Sequence, residues 1–153
     1  KFRRLEAIPD WKWSAVTGAE DVMSRLDDFV RLMRQSSQEK DEYMTEEHLR
    51  FFYAMARRMS QIGLLRLYFL ELDGKPVATS LCFDYASSRL LYNSGYDLEY
   101  GYYSVGLLLN ALCLREAIEQ EIGYFDFLRG SETYKHHLGG QPHDLYQMVV
   151  RRS

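Results

Sequence analysis

Residues 124–140, YFDFLRGSETYKHHLGG, decide how the whole chain is read. The stretch begins as a short aromatic strand in which Asp126 points away from Phe125 and Phe127 if the backbone is extended. An acid inside an apolar run needs a partner, because an unpaired buried carboxylate is costly. Arg129 and Lys135 are the nearest cations. Gly130 then allows a sharp change of direction, and Ser131 is placed to cap a short helical turn carrying Glu132, Tyr134 and Lys135. Acid, base and phenol are expected together at the end of a strand.

Upstream of this strand, Ser104 is placed to cap a long helix that runs to about Glu121 and is apolar through most of its first half, the mark of a buried helix. Gly123 ends it. A strand, a crossover helix and a second strand put the two strands parallel in one sheet. The strand before the helix spans Leu90–Tyr96 and is the last of a meander. Leu64 to Leu72 is the first, Asp73-Gly74 is a strong hairpin turn, Val77–Tyr85 returns, and residues 86–89 form a second turn.

Two helices precede the meander. Thr17 and Glu20 have the spacing of a capping box, and Val22, Leu26, Phe29 and Met33 recur at helical period, which predicts a helix over 19–35. Thr45 opens a second, with Glu46 and Glu47 in its first turn and Gly63 at its end. Residues 36–42 are polar and without period, and are expected to be a loop. Trp11 and Trp13 flank Lys12 in a short strand, and Leu145–Arg151 supplies a final one. The fold class is α/β: an antiparallel meander, a buried crossover helix, a parallel strand, and flanking helices.

With 153 residues the chain suits one domain with a real core. It does not begin with Met, so we expect residues 1–153 to be a C-terminal piece of a longer protein that packs on an N-terminal domain. Its net charge of -3 comes from 19 basic and 22 acidic residues that are well mixed, which points away from a DNA or RNA surface. Cys82 and Cys113 lie in apolar runs and are expected to be reduced core residues. The longest apolar run, Val105 to Leu114, is about half of a membrane span, and no signal peptide is visible. We expect a cytoplasmic domain.

The strings LDGKPVA (72–78), NSGYDLEY (93–100), SVGLLL (104–109) and FDFLRGSETYK (125–135), together with the order of elements, resemble the GNAT acyltransferases, and among them the cellulose-biosynthesis-type or Fem-like acetyltransferases. The resemblance spans about residues 17–150. It implies acetyl-CoA or another acyl-CoA as co-substrate, its pyrophosphate lying on backbone amides at the head of the apolar helix, as helix N-termini favour. The positions concerned are Gly95, Tyr96, Tyr102, Tyr103, Ser104, Val105, Gly106 and Leu107. Gly101 and Gly106 stand in this loop, but no basic side chain does. The acceptor implied is an amine or hydroxyl of a small molecule, a sugar or a cell-envelope precursor. Two alternatives stay open: a Fem-like aminoacyl transferase using charged tRNA, and a non-catalytic domain packed on a partner. Homodimerisation is left open too.

By the same resemblance Tyr134 is the acid that protonates the leaving thiolate; its other reading is a packed aromatic. Asp126 is either a base for the acceptor or a strand acid paired to fix the turn. Arg129 and Lys135 either bind a carboxylate or phosphate of the substrate or pair with Asp126 and Glu132. Tyr92, Tyr96, Tyr100, Tyr102 and Tyr103 form an aromatic group suited to the wall of a site. We expect no metal: adjacent His136 and His137 on a helix point about 100 degrees apart, and no cysteine lies near them or His143.

Overall fold

The computed structural model describes residues 1–151. The chain runs α1 (Phe2–Glu6), β1 (Trp11–Val16), α2 (Ala19–Ser36), α3 (Gln38–Tyr43), α4 (Glu46–Gln61), β2 (Leu65–Leu72), β3 (Lys75–Tyr85) and β4 (Ser88–Tyr96). A 3-10 turn over Leu98–Tyr103 then leads to α5 (Val105–Glu119), β5 (Tyr124–Asp126) and α6 (Thr133–His137). The five strands form one sheet in the order β1-β2-β3-β4-β5. Neighbours are antiparallel from β1 to β4, and β5 is parallel to β4.

Local chemistry explains most of this order. Asp73 and Gly74 both take positive φ, 49° and 72°, the conformation that a two-residue turn between twisted strands requires. Ala86 and Ser87 do the same at 48° and 59°, so β4 starts two residues earlier than its apolar run suggests. Along β2 the side chains alternate between two layers, as the period of a strand dictates. Tyr68, Leu70 and Leu72 pack with Leu108, Leu109 and Leu112 of α5, while Leu65, Leu67 and Phe69 pack with Leu26, Phe29 and Phe52 of α2 and α4. Both faces of the sheet are covered, and α5 is buried as expected.

Four expectations are corrected. Residues 36–42 are not a loop: Ser37 accepts a hydrogen bond from the Lys40 amide at 3.2 Å and caps α3, a helix with no buried residue and hence no apolar period to betray it. The cap of α2 is Gly18, not Thr17, and makes no side-chain bond. Ser104 does not cap α5 through its side chain either; it sits in the left-handed region at φ 56° and joins the 3-10 turn to the helix. Leu145–Arg151 forms no strand, and Leu145, Tyr146, Met148, Val149 and Val150 are exposed. A strand needs a neighbour for its hydrogen bonds, and composition alone does not supply one. At the other end of the chain, α1 was unforeseen and seats a fully buried Leu5 against the α5 layer.

Candidate active site

β4 is nine residues long but β5 only three, and β5 pairs with Ser88, Arg89 and Leu90 alone. Beyond Leu90 the two strands separate. A cavity of about 670 Å³ lies in that gap. On one side it is bounded by Tyr96 of β4 and by the head of α5, through Ser104, Gly106 and Leu107; on the other it is bounded by Tyr134 and the loop after β5.

The head of α5 is rich in unused donors. The first bond of the helix runs from the Leu108 amide to the Ser104 carbonyl at 3.0 Å, and no side chain caps the helix. The amides of Val105, Gly106 and Leu107 therefore have no acceptor among the described residues, as the first turn of a helix leaves them. A Cβ on Gly106 would fall 2.9 Å from Tyr96 Cδ1, so only glycine lets the Tyr96 ring lie against this turn. Asn110, one turn further along, is buried and accepts from the Ser80 hydroxyl at 2.7 Å, tying α5 to β3 beneath the cavity.

The remaining residues assigned to donor binding are placed elsewhere. A Cβ on Gly95 would fall 2.6 Å from the Leu32 carbonyl, so this glycine lets α2 cross the opposite face of the sheet. Tyr102 is exposed and lies under the Arg4 guanidinium. Tyr103 packs in the α5 layer, and the Val105 side chain is buried there. Of the five-tyrosine group, Tyr92 and Tyr96 line the cavity.

On the facing wall Tyr134 is half-buried and meets the edge of Phe127, ring centroids 6.2 Å apart. Burial, with the Glu132 charge adding to it, pushes its phenol up to about 12. Its hydroxyl thus keeps its proton through the neutral range. Lys135 is buried, and its ammonium donates to the carbonyls of Leu128 at 3.3 Å, Arg129 at 2.7 Å and Gly130 at 3.3 Å while pairing with Glu132 at 2.9 Å. Every donor it has is engaged. Burial raises the Glu132 carboxyl, but the Lys135 hydrogen bond outweighs this and holds it below the usual range.

Asp126 is not brought together with Tyr134. Its carboxylate accepts the Leu128 amide at 2.7 Å, fixing its own turn rather than pairing with Arg129 or Lys135. It borders a second cavity, between β5 and residues 138–145, that Tyr134 does not line. Arg129 is exposed at the edge of both cavities and makes no side-chain hydrogen bond or ion pair among the described residues.

One residue of the first cavity was not foreseen. Lys40, carried by α3, is half-buried there and donates to the Ser94 carbonyl, which the divergence of β4 and β5 leaves without a strand partner. Burial draws its ammonium below the usual lysine range, against the opposing charges of Glu132 and Glu39. Only the placing of α3 on β4 could reveal it. Among the described residues no group of three or more His, Cys, Asp or Glu side chains could hold a metal, and no helix is long and apolar enough to cross a membrane.

Residues 1–136 match the family model described as an acetyltransferase (GNAT) domain. Solved structures share the fold. An aminoglycoside acetyltransferase from an uncultured soil metagenomic sample, in complex with sisomicin, is 14% identical over 97% of this chain and 97% of its own, with a TM-score of 0.58. The aminoglycoside acetyltransferase AAC(6')-Iy, in complex with a CoA bisubstrate analogue, is 11% identical over 94% of this chain and 99% of its own, with a TM-score of 0.65. A ribosomal-protein-alanine N-acetyltransferase from Brucella melitensis biovar Abortus 2308 is 11% identical over 94% and 100%, with a TM-score of 0.56. No curated protein matches the chain in sequence.

Proposed function

The chain belongs to the GNAT acetyltransferase domain family, and we propose that it transfers an acetyl group from acetyl-CoA to the amine of a small acceptor. The observation that carries this reading is the head of α5. Three unused amides lie in the first turn of a 15-residue helix, and two of their residues, Gly106 and Leu107, line a cavity whose other wall holds a protonated phenol. Such a terminus suits a pyrophosphate, and a cavity of about 670 Å³ is of the size that small-molecule sites have.

A bound thioester supplies an acyl carbon open to attack and a sulfur that departs. The chain supplies the rest. Val105, Gly106 and Leu107 bind and orient through their N–H groups, and the Tyr96 ring walls the site; as the amine nitrogen bonds to the acyl carbon and the carbon–sulfur bond breaks, the Tyr134 hydroxyl gives its proton to the sulfur, the amine loses one to solvent, and solvent restores the phenol. Within the family, the resemblance of the strings at 93–100, 104–109 and 125–135 supports a reading as a cellulose-biosynthesis-type, Fem-like acetyltransferase. An acyl-CoA donor goes with a cytoplasmic domain.

Calorimetric titration with acetyl-CoA and with CoA tests the donor. Binding of both is expected, and the absence of either heat from both titrations removes the reading. Release of free thiol in the presence of an amine tests the transfer.

A further inference from the structure

The charges around the first cavity are unequally partnered. Lys135 and Glu132 neutralise one another, and the three loop carbonyls take the rest of the ammonium. Two cations remain. Lys40 is half-buried and has a backbone carbonyl but no carboxylate within ion-pair distance, and Arg129 has no side-chain partner among the described residues. The one other acid at this cavity, Glu39, is exposed on α3. A part-buried cation that the charges of Glu132 and Glu39 reach only from beyond ion-pair distance keeps part of its desolvation cost, which an anionic ligand in direct contact would relieve. A guanidinium with all its donors free is suited to binding a carboxylate or phosphate through two parallel bonds.

Resting on the acyl-transfer reading, we propose that the acceptor is an amine that also bears an anionic group, a carboxylate or a phosphate, held by Lys40 and Arg129. The donor's phosphates have their own site in the α5 amides, on a different wall of the same cavity. A polycationic acceptor such as an aminoglycoside would bring like charge against both side chains and find, in place of an acidic wall, a Glu132 already engaged. Such an acceptor differs in charge from an aminoglycoside such as the sisomicin bound to one structural neighbour.

The test uses two matched pairs, glucosamine 6-phosphate against glucosamine and L-alanine against alaninamide, with sisomicin as the polycation. Direct calorimetry, with and without acetyl-CoA, is the primary readout. At least one anionic member is expected to bind tenfold or more tighter than its neutral twin, the size of one charge-assisted hydrogen bond. Lys40→Met and Arg129→Gln should each remove most of that preference while leaving the Kd for acetyl-CoA within about twofold. Arg129→Gln alters an exposed side chain, so its effect cannot be assigned to misfolding. Binding of neither anionic member, preference for a neutral twin or for sisomicin, or weakened acetyl-CoA binding with the preference intact would each overturn the proposal. The last outcome would give the two cations to the donor. Failure of acetyl-CoA to bind sinks the acyl-transfer reading, whereas loss of anion binding in the Lys40→Met, Arg129→Gln double variant bears on the anion site alone.

Discussion

The two ends of the junction between β4 and β5 handle charge in opposite ways. At the paired end Arg89 is 0% exposed and every donor of its guanidinium is taken. It bonds to both carboxylate oxygens of Asp84 at 2.8 Å, to Glu116 at 2.8 Å, to Gln120 at 2.9 Å and to the Cys113 carbonyl at 3.3 Å. Tyr68 donates to the same Glu116 oxygen, and Arg66 to Asp84. At the open end, three amides of α5, the Lys40 ammonium and the Arg129 guanidinium remain without acidic partners. A polar cluster that closes on itself is architecture; one left open in a concave place is prepared for something that is not the protein.

The contrast can be broken from either side. The largest effect is expected from Arg89→Met, which leaves the Glu116 carboxylate without a cation and Asp84 with Arg66 alone. Breaking a buried pair in this way costs about 3–5 kcal/mol, and denaturant unfolding should report it. A loss below about 1 kcal/mol would deny the cluster its structural role.

Tyr134→Phe tests the open end. Removing a general acid lowers kcat by about a hundredfold or more, with acetyl-CoA affinity unchanged; an unaltered kcat takes Tyr134 out of the chemistry. Because its phenol is raised to about 12, wild-type turnover should show no alkaline limb from this group as pH rises from 7 to 10. Gly106→Val comes next. It forces a branched side chain against the Tyr96 ring, a crowding that costs about 1–3 kcal/mol and should appear as weaker acetyl-CoA binding. Undiminished affinity would move the donor away from the α5 amides.

The paired end makes its own contribution to the pH dependence of stability, beside those of Glu132 and Glu71, which are also lowered. Burial raises the Asp84 carboxyl, but hydrogen bonds from Arg89 and Arg66 outweigh it, and the net shift is downward from 3.8. A carboxyl lowered on folding adds stability that is fully present above its unfolded value and disappears as pH falls through its folded one. Thermal unfolding should therefore be level with respect to this group above about pH 4 and fall below it, and Asp84→Asn should flatten that fall. The smallest effect is expected from Asp126→Asn. The amide oxygen can still accept the Leu128 N–H, so stability should stay within about 0.5 kcal/mol and turnover within about twofold. A hundredfold loss of turnover would shift the chemistry to the second cavity.

Much of the fold could be read in advance because it follows from local rules. The Asp73-Gly74 turn, the periodic faces of α2 and α4, the Thr45 cap, whose oxygen accepts the His48 amide at 3.3 Å, and the apolar run of α5 are each written within a few neighbouring residues. The parallel pairing of β5 followed from the crossover rule. The misses were of another kind. α3 has no apolar face to mark it, and residues 145–151 have the composition of a strand but no neighbour to pair with. Gly95 stands in a family-like string but is needed for close packing against α2. Of the residues expected to bind the donor, Tyr96, Ser104, Gly106 and Leu107 line the cavity, whereas Gly95 and the side chains of Tyr102, Tyr103 and Val105 serve packing or the surface.

From the residues alone came the order of elements from β1 to β5, α3 apart, and the presence of a buried helix leading to a strand, since turn propensity and side-chain period act over short spans of chain; that this helix has no side-chain cap came from the structure. Which charges are engaged and which are free was decided only by the tertiary structure. Arg89 finds its partners on a helix 24 to 31 residues away, and Lys40 meets the Ser94 carbonyl across 54 residues. Whether an ion is neutralised depends on what stands about 3 Å from it, and that distance is set by packing between segments that the linear chain does not place side by side.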